Sequence, residues 1–309
     1  MEKITRRTIL AASALAPFAA AARDKHPMQY HLSCGAIGVK ASQKEAIEYA
    51  AKYGFDAVDA DGKYLGGVSD SELHNLLDDM KSKQIAWAMA GLPVEFRKDD
   101  AAFAEGMKTF PAYVTGLKRA GVQKVTTWIS PAHNERTYRM NFQAHVNRLR
   151  EIASVLQGSG LRFGLEYVGP KTLWASQRYP FIHTMVEMKE LLAEIGKPNV
   201  GFVLDSWHWY TSGETGADLL TLKADQVVSV DLNDAPSGIP IDQQVDSRRE
   251  LPAATGVIDV KTFLSSLSKI GFDGPVRAEP FNEAVRRMQP VDAISATMAS
   301  LNKAFGQMV

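Results

Sequence analysis

One cysteine, Cys34, stands in the 309 residues, so no intrachain disulfide can form and packing must hold the fold. A lone cysteine serves more readily as a small buried hydrophobe than as a nucleophile, and Cys34 reads as filler near the first strand end. The chain also lacks an excess of either charge: 35 Lys+Arg balance 35 Asp+Glu, which removes the electrostatic footprint of a nucleic-acid binder. Histidine is scarce, 7 in all, and only His208 follows a late strand closely. No Pro/Ser-rich linker interrupts residues 23–309, so one domain is expected, and 45% hydrophobic residues is ordinary for a globular protein with a sizeable core.

The first 22 residues do not read as part of that domain. Thr5-Arg6-Arg7-Thr8-Ile9-Leu10, an alanine-rich apolar stretch, and the small residues Ala20-Ala21-Ala22 before Arg23 resemble a twin-arginine export signal. A basic, poorly ordered tail is the alternative. The apolar stretch is too short for a comfortable membrane span, so stable membrane insertion is not expected. A periplasmic or otherwise exported mature protein follows from the resemblance.

Beyond the signal, one unit repeats. Helix-like stretches end at Gly54, Gly121, Gly160 and Gly271, and each is followed within a few residues by an apolar strand. Apolar residues recur at helical spacing between strands, as in Ala46, Ile47, Ala50 and Ala51, or Val146, Leu149, Ile152, Ala153 and Leu156. Strand alternating with helix predicts a parallel sheet. Eight strands are expected, at 29–33, 55–59, 85–89, 124–129, 162–166, 201–205, 227–231 and 276–279, which makes a (β/α)8 TIM barrel. An open dinucleotide-binding sheet fits less well, because Cys34-Gly35-Ala36-Ile37-Gly38 after the first strand is a poor glycine-rich phosphate turn.

Four acids, Glu166, Asp205, Asp231 and Glu279, end strands five to eight. Active sites of such barrels lie at the carboxyl ends of the strands. Any one of these acids alone would read as a helix cap or turn former, but four at equivalent places point to one centre. Clustered carboxylates need a cation or protons, and hard oxygen donors favour Mn²⁺, with Mg²⁺ or Co²⁺ as alternatives, over a structural zinc.

Gly164-Leu165-Glu166-Tyr167, Leu204-Asp205-Ser206-Trp207-His208, Val230-Asp231-Leu232-Asn233-Asp234, Arg249-Glu250-Leu251-Pro252 and Gly274-Pro275-Val276-Arg277-Ala278-Glu279-Pro280 together resemble the sugar phosphate isomerase/epimerase superfamily with a xylose-isomerase-like barrel. The resemblance implies that Glu166, Asp205, Asp231 and Glu279 bind a divalent metal and that His208 and Arg249 face a carbohydrate substrate. The ketose-epimerase branch usually has histidine at the strand-seven position, where this chain has Asp231. Asn233, which shares a strand face with Asp231, is the fallback ligand, and Asp234 is expected to brace the loop. Because the family often pairs its barrels, a homo-oligomer is left open.

The expected chemistry is enolisation of a ketose or keto-sugar, with Glu166 and Glu279 as paired bases on opposite faces of the substrate. Returning the proton to the same carbon gives epimerisation, and returning it one carbon along gives isomerisation. Expulsion of a group beta to the carbonyl would instead make a lyase of 3-keto-glycosides, O- or C-linked. His208 could relay a proton, ligate the metal or only hydrogen-bond a carboxylate. Trp207, Trp209 and Tyr210, with Trp128 and Trp174, are aromatics for stacking on sugar or for packing; Arg249 and, more weakly, Lys171 are candidate oxygen binders. Two other classes compete. An apurinic-site endonuclease of the same barrel type needs a histidine-rich trinuclear zinc centre that this composition does not supply. A non-catalytic sugar-binding protein would not need two glutamates around a metal.

Overall fold

The structure, a computed structural model, describes residues 26–308. The leader expected over 1–22 lies outside them. Among the described residues no helix is long and apolar enough to cross a membrane.

Strands β1 (Gln29–Leu32), β2 (Ala57–Val58), β3 in two pieces (Ala86–Trp87 and Ala90–Gly91), β4 (Lys124–Trp128), β5 (Arg162–Glu166), β6 (Val200–Asp205), β7 (Val227–Leu232) and β8 (Pro275–Ala278) pair in parallel. β1 joins β2 on one side and β8 on the other. The two ends of the hydrogen-bonded row are the two pieces of β3, one paired with β2 and the other with β4. Only Ala88 and Met89 separate them, so the sheet closes on itself and its nine segments form an eight-stranded barrel.

The helical pattern holds where burial can be checked. Tyr138–Gly158 turns Val146, Leu149, Ile152, Ala153 and Leu156 inward, all fully buried. The first helix, Gln43–Tyr53, starts at a capping box between Ser42 and Glu45 and stops at Gly54, whose φ of 80° is the left-handed turn that glycine tolerates best. Past the carboxyl ends of β4 and β5, the short pieces Ala132–His133 and Tyr179–Pro180 pair antiparallel and tie two long loops together.

Register sets the height of the acids. Asp231 stands opposite Asp205 on one neighbour and Arg277 on the other. Glu166 and Asp205 are the last residues of β5 and β6, and Glu279 follows β8 directly.

Candidate metal centre

Closure of the barrel brings four distant acids together. Glu166, Asp205, Asp231 and Glu279 each offer a carboxylate oxygen, and these oxygens lie within 4.8 Å of one another. Asp205 is buried; its Oδ2 accepts from Arg249 Nη1 at 2.7 Å, and its Oδ1 accepts from Trp207 N and Asn233 Nδ2. Arg277 clasps Asp231 with Nε and Nη2, each 2.7 Å from a different oxygen, and Nη2 also reaches Glu279 Oε1 at 2.9 Å. Such a fork-to-fork pair fixes both partners more tightly than a single hydrogen bond.

Asn233 is committed at both ends of its amide: Nδ2 donates to Asp205, and Oδ1 accepts from Glu279 N. It therefore orients two of the acids through its own hydrogen bonds. Asp234 accepts from the backbone of Ala235, Thr255, Gly256 and Ile258 and so pins the loop after β7.

His208 reaches the cluster because Asp205 caps the short helix Ser206–Thr211, whose first turn swings the imidazole back over the strand end. Its Nε2 lies 3.7 Å from both Glu166 Oε1 and Asp205 Oδ2. Gly169 N donates to Nδ1 at 3.2 Å, which puts the hydrogen of the neutral ring on Nε2, facing the acids. That approach requires glycine, since a Cβ at position 169 would stand 2.5 Å from His208 O. Arg249 Nη2, which can only donate, lies 3.5 Å from the same Nε2, and Glu166, Asp205 and His208 form a second group of ligand atoms close enough to hold an ion, so the ring is placed both for proton delivery and for ligation.

The charges do not balance among protein groups. Five carboxylates, including Asp246 beside Arg249 at 2.8 Å, face the two guanidiniums Arg249 and Arg277. Burial, followed by repulsion from Asp231, Glu279 and Asp205, raises the Glu166 carboxyl well above its usual range. Burial likewise pushes Glu279 up to about 7 despite Arg277. His208 is pushed down to about 3 by burial and by Arg249. Glu166 Oε1 is buried without a hydrogen-bond partner among the described residues. An orphaned carboxylate oxygen within a surplus of negative charge is what a divalent cation satisfies, so these residues fit a metal.

A cavity of about 640 Å³ opens over the cluster. Glu166, Glu279, His208, Arg249 and Trp128 line it, as the sequence suggested. Trp207 and Lys171 do not. Trp207 is fully buried beneath Arg249, whose guanidinium lies 5.4 Å from its ring. Lys171 is half-exposed and paired with Asp242 at 2.6 Å, so the roles expected for both are corrected. Trp209 packs on Phe263, and Trp174 stacks on His183. An aromatic residue beside a motif turns to whichever face the helix geometry sets, and spacing alone did not reveal it.

Among the other lining residues, Arg277, Asp246 and Phe281 touch the acids or Arg249 without having been assigned a role. Arg277 was legible in principle, because it alternates with Glu279 along one strand and so shares its face. Asp246 sits three residues before Arg249. Phe281 gave no signal; its φ of 41° is strained for a residue with a side chain, and its ring lies 4.5 Å from the Arg249 guanidinium.

A family model described as a xylose isomerase-like TIM barrel matches residues 47–304. The chain belongs to that family. Within the family it is similar to the inosose isomerase of Halalkalibacterium halodurans, at 22% identity over 254 residues covering 80% of this chain and 86% of that one. The structure is similar to a xylose isomerase domain protein from Alicyclobacillus acidocaldarius, with TM-score 0.79, 29% identity and coverage of 91% and 99%. The structure of the IOLI protein with a bound zinc atom shares the fold at TM-score 0.76 and 22% identity, with coverage of 91% and 99%. Sugar isomerase/epimerase chemistry is the family setting in which this cluster is read.

Proposed function

We propose that the protein is a divalent-metal-dependent isomerase or epimerase of a ketose or keto-sugar, acting by proton transfer beside the carbonyl. One observation carries the reading: Glu166 and Glu279, from β5 and β8, face a single cavity beside the same cluster of acids. Glu166, Asp205, Asp231 and Glu279 would hold the ion, which we take to be manganese, with magnesium or cobalt as alternatives, since an all-oxygen donor set accepts hard divalent cations. When bound, such an ion supplies Lewis-acid polarisation of a carbonyl and its neighbouring hydroxyl.

The remaining work falls to the chain's own groups. One glutamate removes the proton from the carbon beside the carbonyl, and the other delivers a proton, giving the enediolate route to isomer or epimer. His208 Nε2–H donates to a substrate oxygen. Arg249, held by Asp205 and Asp246, binds substrate oxygens through its remaining guanidinium edge. A second reading, elimination from a 3-keto-glycoside, is favoured by a further cavity adjoining the first past Trp128. The twin-arginine-type leader supports export of the mature protein.

Incubating metal-loaded protein in deuterated water with a panel of ketoses and 3-keto-glycosides tests the proposal. Deuterium is expected beside the carbonyl of at least one compound; no uptake in any of them rejects enolisation. Metal analysis of the purified protein separates this reading from a non-catalytic sugar binder, which would carry no stoichiometric divalent ion.

A further inference from the structure

The second cavity, of about 300 Å³, lies at the lower end of the range of small-molecule sites. It shares Arg97, Trp128, Ser130, Ala132 and Gln177 with the first cavity, so the two adjoin. Trp128 stands between them, 46% exposed, with the Arg97 guanidinium 4.5 Å from its ring centroid. Arg97 is itself held by Thr127 Oγ1 and the Trp128 carbonyl, which makes a fixed shelf.

The far wall carries Asn141 and His145, 1% and 2% exposed. Both atoms of the Asn141 amide and Nε2 of His145 have no hydrogen-bond partner among the described residues. Side chains so deeply buried are ordinarily paired, and each exception calls for a cause. The hydrogen-bond chemistry of the wall is readable. His145 Nδ1 lies 2.8 Å from the Asn141 carbonyl oxygen; a carbonyl only accepts, so Nδ1 carries the hydrogen and Nε2 presents a bare acceptor. Burial, reinforced by Arg136, Arg148 and Arg97, lowers the imidazole to about 4 and keeps it uncharged.

The wall thus offers one amide donor group and two acceptors. An anion, which only accepts, would leave Asn141 Oδ1 and His145 Nε2 unpaired. An apolar group would leave all three unpaired. Hydroxyl groups both donate and accept, and vicinal hydroxyls match the set.

We propose that this second cavity is a subsite for a second sugar ring, and that the substrate is a glycoside of at least two rings. The reacting ring lies in the first cavity against Glu166 and Glu279, and the other crosses the Trp128 shelf to bond Asn141 and His145. This assignment of substrate class rests on reading the first cavity as a keto-sugar site.

Calorimetric binding tests it, with cellobiose, maltose and their 3-keto forms set against glucose and 3-ketoglucose. Wild type is expected to bind at least one two-ring sugar about tenfold or more tighter than its one-ring counterpart, about 1.4 kcal/mol. Asn141→Ala and His145→Ala are each expected to bring that ratio close to one, and His145→Gln, whose amide can still accept, to restore part of it. If an alanine variant fails to fold, Asn141→Asp, which keeps the volume and loses the donor, must reduce the ratio. A wild-type ratio near one, no binding of any two-ring sugar, or a ratio that survives these substitutions overturns the subsite. Deuterium uptake is scored separately: loss of uptake with the binding ratio intact rejects the chemistry and leaves the subsite standing.

Discussion

Arg277 grips Asp231 across the last two barrel strands, with its Nε and Nη2 each 2.7 Å from one carboxylate oxygen. Where the epimerase branch of the resemblance has a neutral imidazole, this barrel has an acid with its own built-in counter-cation. The pair keeps a fourth carboxylate in the centre without a metal having to neutralise all of it.

Removing the guanidinium should expose that dependence. Arg277→Met leaves Asp231 buried and uncompensated, and is expected to destabilise the metal-free protein by about 3–5 kcal/mol, read by urea denaturation. Saturating Mn²⁺ should recover part of the loss, about 2.7 kcal/mol at a hundredfold excess over Kd. Loss without recovery by metal would show that Asp231 does not contribute to the ion site.

The glutamates should behave as bases. Glu166→Gln and Glu279→Gln are each expected to lower deuterium exchange by about 10²–10⁴-fold. Exchange is read by mass spectrometry on a substrate found with the wild type. Retention of near-normal exchange in both variants would move the proton transfer to other groups.

The raised carboxyls predict a pH signature of known sign. Glu279, pushed up to about 7, holds more protons folded than unfolded between its ordinary value near 4.3 and 7. Its stability contribution is therefore fully present below that window and is lost as pH rises through about 7. Glu166 is shifted in the same direction. Metal-free protein should melt lower at about pH 8 than at about pH 5.5, while apparent Mn²⁺ affinity should fall as the pH drops below 7 because protons compete for the same oxygens. Calorimetry across that range checks both, and an affinity flat with pH would rule the two glutamates out as ligands.

Asn233 should matter without touching substrate. Asn233→Ala leaves Asp205 Oδ1 with Trp207 N as its one remaining donor and unpairs Glu279 N, and a supporting bond of this kind typically changes metal affinity by about 10–100-fold. The expected readout is weaker Mn²⁺ binding with the melting transition still cooperative. Unchanged affinity would make the amide purely structural.

The sequence determined the architecture and the address of the centre. Short apolar runs and helical apolar patterns, with stops such as Gly54 and Gly271, depend on neighbours within a turn or two, so the eight units and the acids at their ends could be read locally. Tertiary structure alone decided which groups meet. The Asp231–Arg277 clasp depends on the register of β7 against β8. The burial of Trp207, the outward pairing of Lys171 and the unpaired wall of Asn141 and His145 depend on how helices and loops pack over the strand ends. Those contacts join residues tens of positions apart, and no local periodicity encodes the direction a single side chain takes when the barrel closes.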